Sequence, residues 1–134
     1  MSAVPFSIKH LYAGLAEAEG LTWLENDALV LEYRVKDLTH CLCSSVREVR
    51  LNLQEVDDVQ FENRLWRSPR ISLRMRSLYA ARRIPHSKGC VQLRIPKEAR
   101  SRARSLANRI TLTLSEYKLE WLEHEHRRLQ REGA

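Results

Sequence analysis

Hydrophobic and polar residues alternate along most of the first two thirds of the chain. A period of two is typical of strands that bury one face, because successive side chains point to opposite sides of a sheet. The clearest run covers residues 29–36, and its apolar set is Leu29, Leu31, Tyr33 and Val35. Comparable runs predict strands over 21–24, 49–53, 56–61, 71–75 and 91–95.

Short polar segments separate these runs. Glu25-Asn26-Asp27 predicts a tight turn, Asp57-Asp58 a bend and Ser68-Pro69 a turn. We expect 84–89 to be a loop and 37–45 a loop or a short irregular strand. The exception lies near the start of the chain, where helical spacing predicts a short amphipathic helix from Ser7 to Leu15, and its apolar residues are Ile8, Leu11, Tyr12 and Leu15.

The periodicity changes to a helical one after Pro96. Proline at a first helical position and Glu98 in the first turn are typical of a helix start. No proline or glycine interrupts residues 97–132, so a continuous helix would be about 54 Å long at 1.5 Å per residue. That length exceeds what a domain of this size needs to cover its own core.

Two apolar stripes follow this helix. The first stripe predicts a face that closes over the sheet, and it comprises Ala99, Ala103, Leu106 and Ile110. The second has heptad-like spacing and predicts a contact with another helix, most simply a second copy of the chain. This stripe comprises Leu112, Leu119, Leu122, His126 and Leu129, with Tyr117 and Trp121 beside it. The interface candidates are Leu112, Leu119, Trp121, Leu122 and Leu129. The alternative is a break near Thr113–Ser115, after which the helix folds back on its own sheet.

Charge is unevenly distributed along the chain. Residues 64–109 hold 14 of the 23 Lys and Arg residues and a single acid, Glu98, whereas residues 1–63 hold 5 basic and 11 acidic residues. Such asymmetry indicates an anionic surface or an acidic partner. The candidate anion-binding residues are Arg70, Arg74, Arg76, Arg82, Arg83, Lys88 and Arg94, with further arginines at the helix start.

Two interpretations of this basic face stay open. It is either a solvated face, balanced by the acidic half of the chain or by another subunit, or a functional site. Nucleic acid, an anionic membrane surface and an acidic protein would each fit a functional site. Aromatics among the arginines favour single-stranded nucleic acid, but Trp66 and Tyr79 alone lie near.

Three segments carry a family resemblance. They are residues 19–33 as a first hairpin, residues 49–59 as a strand with a bend, and residues 91–100 as a last strand that leads into a helix. This order resembles the bacterial pleckstrin-homology-like (PH-like and GRAM-like) domains of unassigned function over residues 15–112. The resemblance implies an α+β, mainly β fold: a bent antiparallel barrel of seven strands capped by a long C-terminal helix. It also implies binding or assembly rather than catalysis.

One departure from the resemblance matters. Phosphoinositide-binding members have a basic first hairpin turn, whereas Glu25-Asn26-Asp27 is acidic here. The lipid site of those members is therefore not carried over. We expect one domain over residues 1–134, with the barrel and its helix over 15–112 and a helical extension over 113–134.

No residue pattern indicates catalysis, a cofactor or a small-molecule substrate. A zinc site formed by His40, Cys41, Cys43 and the distant Cys90 is disfavoured, because only one residue separates Cys41 from Cys43. His124 and His126 lie two residues apart and do not share a helix face. Three cysteines do not form a disulfide framework, and no secretory signal or membrane-spanning run is apparent. We expect a cytoplasmic, non-enzymatic interaction module that self-associates, or alternatively an anionic-surface binder.

Overall fold

The computed structural model describes residues 3–11, 14–37, 44–64 and 66–133, and His10 by its backbone alone. Seven strands precede one long helix: β1 (Val4–Leu11), β2 (Ala16–Glu25), β3 (Ala28–Asp37), β4 (Arg47–Asn52), β5 (Val56–Glu62), β6 (Arg70–Met75), β7 (Cys90–Arg94) and α1 (Arg100–Glu132). Short 3-10 turns at Leu53–Glu55 and Lys97–Ala99 lead into β5 and α1.

All seven strands belong to one antiparallel sheet with the order β4-β3-β2-β1-β7-β6-β5. The α+β, mainly β class is therefore confirmed. Strands β4 and β5 stand at the two ends of the order, and no pairing among the described strands joins them. The described sheet is thus not closed, and the closed barrel that we expected is not found.

The helix predicted over Ser7–Leu15 is wrong. Strand β1 occupies most of this segment and lies in the middle of the sheet, paired with β2 along its length and with β7 at Ser7 and Arg94. Its buried side chains alternate in the manner of a strand, and they are Val4, Phe6 and Ile8. Tyr12, which supported the helical spacing, falls outside the described residues.

The other predicted elements are present. Leu29, Leu31 and Tyr33 face the core, as do Ile71, Leu73 and Met75 of β6. The β2–β3 hairpin turns at Asn26, which adopts the left-handed conformation (φ 56°) that asparagine tolerates. At the predicted bend, the pairing of β5 with β6 shifts between Val56 and Asp58. The loop expected over 37–45 falls mostly outside the described residues.

Helix α1 closes the core. The four residues that the spacing predicts are buried: Ala99 in the 3-10 turn before the helix, and Ala103, Leu106 and Ile110 on its inward side. The helix buries two more, Ala107 and Leu114. The helix continues without a break to Glu132. The alternative of a break near Thr113–Ser115 with a fold-back is therefore wrong.

Candidate functional site

A row of paired residues crosses the outer face of the sheet. Glu62 of β5 pairs with Arg70 of β6, Arg70 pairs with Arg94 of β7, and Arg94 pairs with Ser7 of β1. The two arginines therefore stand directly opposite each other, an arrangement that is destabilising for like charges. The carboxylate that adjoins this pair in the row is Glu62, next to Arg70.

Glu62 neutralises the charge of Arg70, the arginine of this pair that lies beside β5. Arg70 donates from Nη2 and Nε to Glu62 Oε2 at 2.6 and 3.1 Å, and Arg64 donates to the same oxygen at 3.3 Å. The hydrogen bond from Arg70 lowers the pKa of Glu62; partial burial opposes this effect, and Arg64 reinforces it. Glu62 is therefore ionised in the folded protein at neutral pH.

This lowered pKa has a measurable consequence for stability. A carboxyl whose folded pKa lies below its unfolded value of about 4.5 stabilises the folded state above that value, and this contribution is lost as the pH falls through the folded pKa. We expect Glu62→Gln to lower the free energy of unfolding at pH 7 by about 1 kcal/mol or less, because the pair is partly exposed. The difference between the two proteins should shrink towards pH 3 in urea titrations. A difference that grows on acidification would contradict the ion pair.

Arg94 has no such balance. The described residues provide its guanidinium with no hydrogen bond or ion pair, and the side chain is exposed. It lines a groove of about 800 Å³ on the outer face of the sheet. Six Lys and Arg side chains and no carboxylate residue line this basic groove among the described residues, and the six are Lys9, Arg64, Arg67, Arg70, Arg94 and Lys97. Three of the six are ion-paired with carboxylates just outside the groove, Lys9 with Glu17 and both Arg64 and Arg70 with Glu62. The groove therefore holds three positive charges, on Arg67, Arg94 and Lys97, that no described carboxylate balances.

Trp66 also lines the basic groove, between β5 and β6. Its side chain is 90% exposed, more than any other large apolar side chain among the described residues. A second hollow of about 720 Å³ adjoins the groove, since the two share Lys9, Ser68 and Arg94. Arg94 thus lies where the two hollows meet.

The structure brings together some of the predicted anion-binding residues and separates others. Arg70 and Arg94 line the groove, whereas Arg74 in β6 and Arg76 just after it are exposed further along the chain and do not line it. Arg82 stacks on Tyr79, 3.7 Å from the ring centroid. The remaining two candidates, Arg83 and Lys88, are exposed in the β6–β7 connection.

Sequence reasoning missed four of the groove's cations as site residues: Lys9, Arg64, Arg67 and Lys97. Arg64, Arg67 and Lys97 fall in the basic stretch, so their charge was visible but their position was not. Lys9 fell in the wrongly predicted helix. It lies near Arg94 because β1 pairs with β7, and this pairing leaves no local trace in the sequence.

The arginines at the start of α1 have structural contacts. Arg102 donates to the Ala3 carbonyl at 2.9 Å, and Arg104 lies over the Phe61 ring at 5.7 Å. Arg100 donates to the Arg64 carbonyl at 3.4 Å. These contacts hold the helix to the sheet, so this part of the basic stretch is partly engaged within the fold.

A second candidate surface lies on the side of α1 that faces away from the sheet. Four leucines along it are each between 55% and 62% exposed, and we call this set the leucine face: Leu112, Leu119, Leu122 and Leu129. Helical geometry of 100° per residue places it away from Ile110 and Leu114, which face the sheet. His126 lies on the leucine face and is exposed, as is His124 on the other side.

Trp121 does not belong to the leucine face. It follows Ile110, Leu114 and Tyr117 at steps of four, three and four residues, so it extends the stripe that faces the sheet. It is 62% exposed because the helix has passed the sheet there. Tyr117 is the last partly buried side chain packed on the core, and burial and the nearby Asp27 carboxylate raise its pKa. Helix geometry therefore places Trp121 outside the leucine face, and its role as an interface candidate stays a prediction.

The cysteine and histidine candidates give no site. His40, Cys41 and Cys43 lie outside the described residues. Cys90 is a half-buried free thiol. Within the described part of the chain, no cluster of His, Cys, Asp and Glu is suited to a metal ion. A helix with the length and apolar composition for crossing a membrane is also absent from the described part.

No protein-family model, curated protein or solved structure matches this chain.

Proposed function

We propose that this protein is a non-enzymatic PH-like interaction module that self-associates through the leucine face. The strand order supports the PH-like part, since a four-stranded meander, β1 to β4, precedes a three-stranded one, β5 to β7, and a C-terminal helix covers the core between them. The acidic Glu25-Asn26-Asp27 turn joins β2 to β3. It is the second hairpin turn and not the first, because β1 forms a hairpin with β2 ahead of it, so its acidity does not bear on a phosphoinositide site at the first hairpin.

The observation that carries self-association is the exposure of four leucines on one side of a helix that outruns its sheet. Burying a leucine side chain is worth about 1.5–3 kcal/mol relative to leaving it in water. Isolated exposed leucines are ordinary, but these four recur at heptad-like spacing on one side of the helix, with Ser115 and His126 at the two seam positions between them. From Lys118 onward the helix has no described packing partner that could cover them.

A second copy of the same helix is the partner that fits the leucine face. Leu119, Leu122 and Leu129 follow the steps of a coiled-coil seam, with His126 at the one polar position between Leu119 and Leu129. In a parallel pair, Lys118 of one copy would lie within reach of Glu123 of the other, an attractive flanking contact. Two-fold pairing is also the commonest symmetry of soluble oligomers.

Variants on α1 test this proposal. We expect the combined change Leu119→Ser, Leu122→Ser and Leu129→Ser to convert an assembled chain to a monomer in size-exclusion chromatography with light scattering. The matched control is Glu120→Ser, His124→Ser and Arg131→Ser, three exposed residues on the other side of the same helix. The control should leave the mass unchanged. If both variants or neither changed the mass, the leucine face would not be the interface.

The second candidate function is anion binding in the basic groove, and the observation that favours it is the unbalanced Arg94 among six cations. In this case, retention on heparin should fall steeply with added salt.

A further inference from the structure

We propose that the basic groove binds single-stranded nucleic acid, with its cations on the phosphates and Trp66 stacked on a base. The proposal rests on the second candidate function, anion binding in the groove, and names the ligand class.

The charge pattern favours a phosphate at the centre of the groove. Arg70 and Arg94 stand opposite each other, and Glu62 satisfies one of them. A phosphate between the two arginines would relieve their repulsion and give Arg94 the anionic partner that the described residues do not supply. Arg67 and Lys97 likewise have no ion pair among the described residues, so three cations of the groove are free to contact a ligand.

Trp66 supplies the second observation. Among the described residues it is the most exposed large apolar side chain, and it lines the same groove as the free cations. A base stacked on an indole ring combines with phosphate contacts in proteins that bind single strands without sequence preference. A simple anion would use the cations of the groove but would leave Trp66 in water.

The shape of the site separates a strand from a membrane. The cations come from β1, β6, β7, the β5–β6 connection and the segment after β7, and they surround a hollow. A flat bilayer surface would contact the cations at the rim of such a hollow but would not fill it. The neighbouring hollow, which shares Lys9, Ser68 and Arg94, continues the path for a flexible chain. An unpaired strand, whose bases are free to turn outward, suits this path.

Fluorescence anisotropy with labelled oligonucleotides tests the proposal. The probes are oligo(dT) and oligo(U). An abasic phosphodiester chain of the same length, which carries the phosphates without the bases, is the control ligand. With three to five phosphate contacts, the affinity for oligo(dT) should fall about 20- to 130-fold between 50 and 200 mM salt. Trp66→Ala should weaken oligo(dT) binding by about 5- to 150-fold and leave abasic binding nearly unchanged.

Charge variants locate the contact. The groove variant is Arg67→Ser, Arg94→Ser and Lys97→Ser, and its control is Arg74→Ser, Arg76→Ser and Arg83→Ser, which removes equal charge outside the groove. The groove variant should lose at least tenfold more affinity than the control. Glu62→Gln should bind oligo(dT) more tightly, because it leaves Arg64 and Arg70 without their carboxylate. Circular dichroism and thermal unfolding establish that each variant is folded.

The outcomes separate this proposal from the broader one. If the abasic chain and oligo(dT) bind equally and Trp66→Ala has no effect, anion binding stands and the nucleic-acid proposal is overturned. Binding to vesicles of phosphatidylcholine with phosphatidylserine, but to no oligonucleotide, overturns it as well. Absence of binding to every polyanion overturns both, as does equal loss in the groove and control variants.

Discussion

Gly20→Ala should be among the most destabilising single substitutions in this protein. Gly20 lies in β2, where β2 pairs with both β1 and β3. A Cβ atom at this position would lie 1.9 Å from the Glu32 carbonyl oxygen and 2.6 Å from the Tyr33 Cα. Both atoms belong to the backbone of the neighbouring strand, so no side chain can move aside to make room.

The expected loss is at least about 3 kcal/mol, because overpacking a core costs about 1–3 kcal/mol even where side chains can adjust. Urea denaturation provides the measurement. Gly14→Ala is the control. Among the described residues, no atom beyond the chain neighbours lies within 4 Å of a Cβ added at Gly14, and the φ of 86° is strained for alanine, which should cost about 1–2 kcal/mol. A Gly20→Ala protein as stable as Gly14→Ala would contradict the close approach of β2 and β3.

Ile110→Ala should give the second large effect. Ile110 is fully buried in the stripe of α1 that covers the sheet. Truncating a buried isoleucine to alanine costs about 2–5 kcal/mol, because it removes apolar contacts and leaves a cavity. Arg109→Ala is the control on the same helix, since Arg109 is exposed and both arginine and alanine have a high helix propensity. A loss below about 0.5 kcal/mol for Ile110→Ala would contradict the position of α1 on the sheet.

The local pattern of the sequence accounts for the elements that it predicted. Residues such as Leu29, Leu31 and Leu73 report a strand because one face of the sheet is buried, and the spacing of Ala103, Leu106 and Ile110 reports a helix with one buried side. The same segment can satisfy two periods, however. Ile8 and Leu11 fit a helix, whereas Val4, Phe6 and Ile8 fit a strand, and the neighbouring strands decided between them.

The position of the basic groove was beyond prediction for the same reason. Basic charge in residues 64–109 was visible in the sequence, but Lys9 joins Arg94 and Trp66 through the pairing of β1 with β7. The number of basic residues in the sequence also overstated how many basic side chains are free to bind an anion. Arg70 is occupied by Glu62, and Arg102 and Arg104 contact Ala3 and Phe61.

The leucine face was predictable because its spacing is local to one helix. Leu119, Leu122 and Leu129 share a side of α1 whatever the sheet does. The same local spacing places Trp121 on the side of Ile110, which the sequence assigned to the sheet-facing stripe. Helix continuity beyond Tyr117 removed the fold-back that would have covered these leucines within one chain.

Sedimentation equilibrium of the unchanged protein tests self-association most directly. At tens of micromolar protein, a concentration at which micromolar dissociation constants are detected, we expect a mass near twice that of the 15.7 kDa chain, falling towards the monomer on dilution. A single species at the monomer mass over the whole concentration range would contradict it.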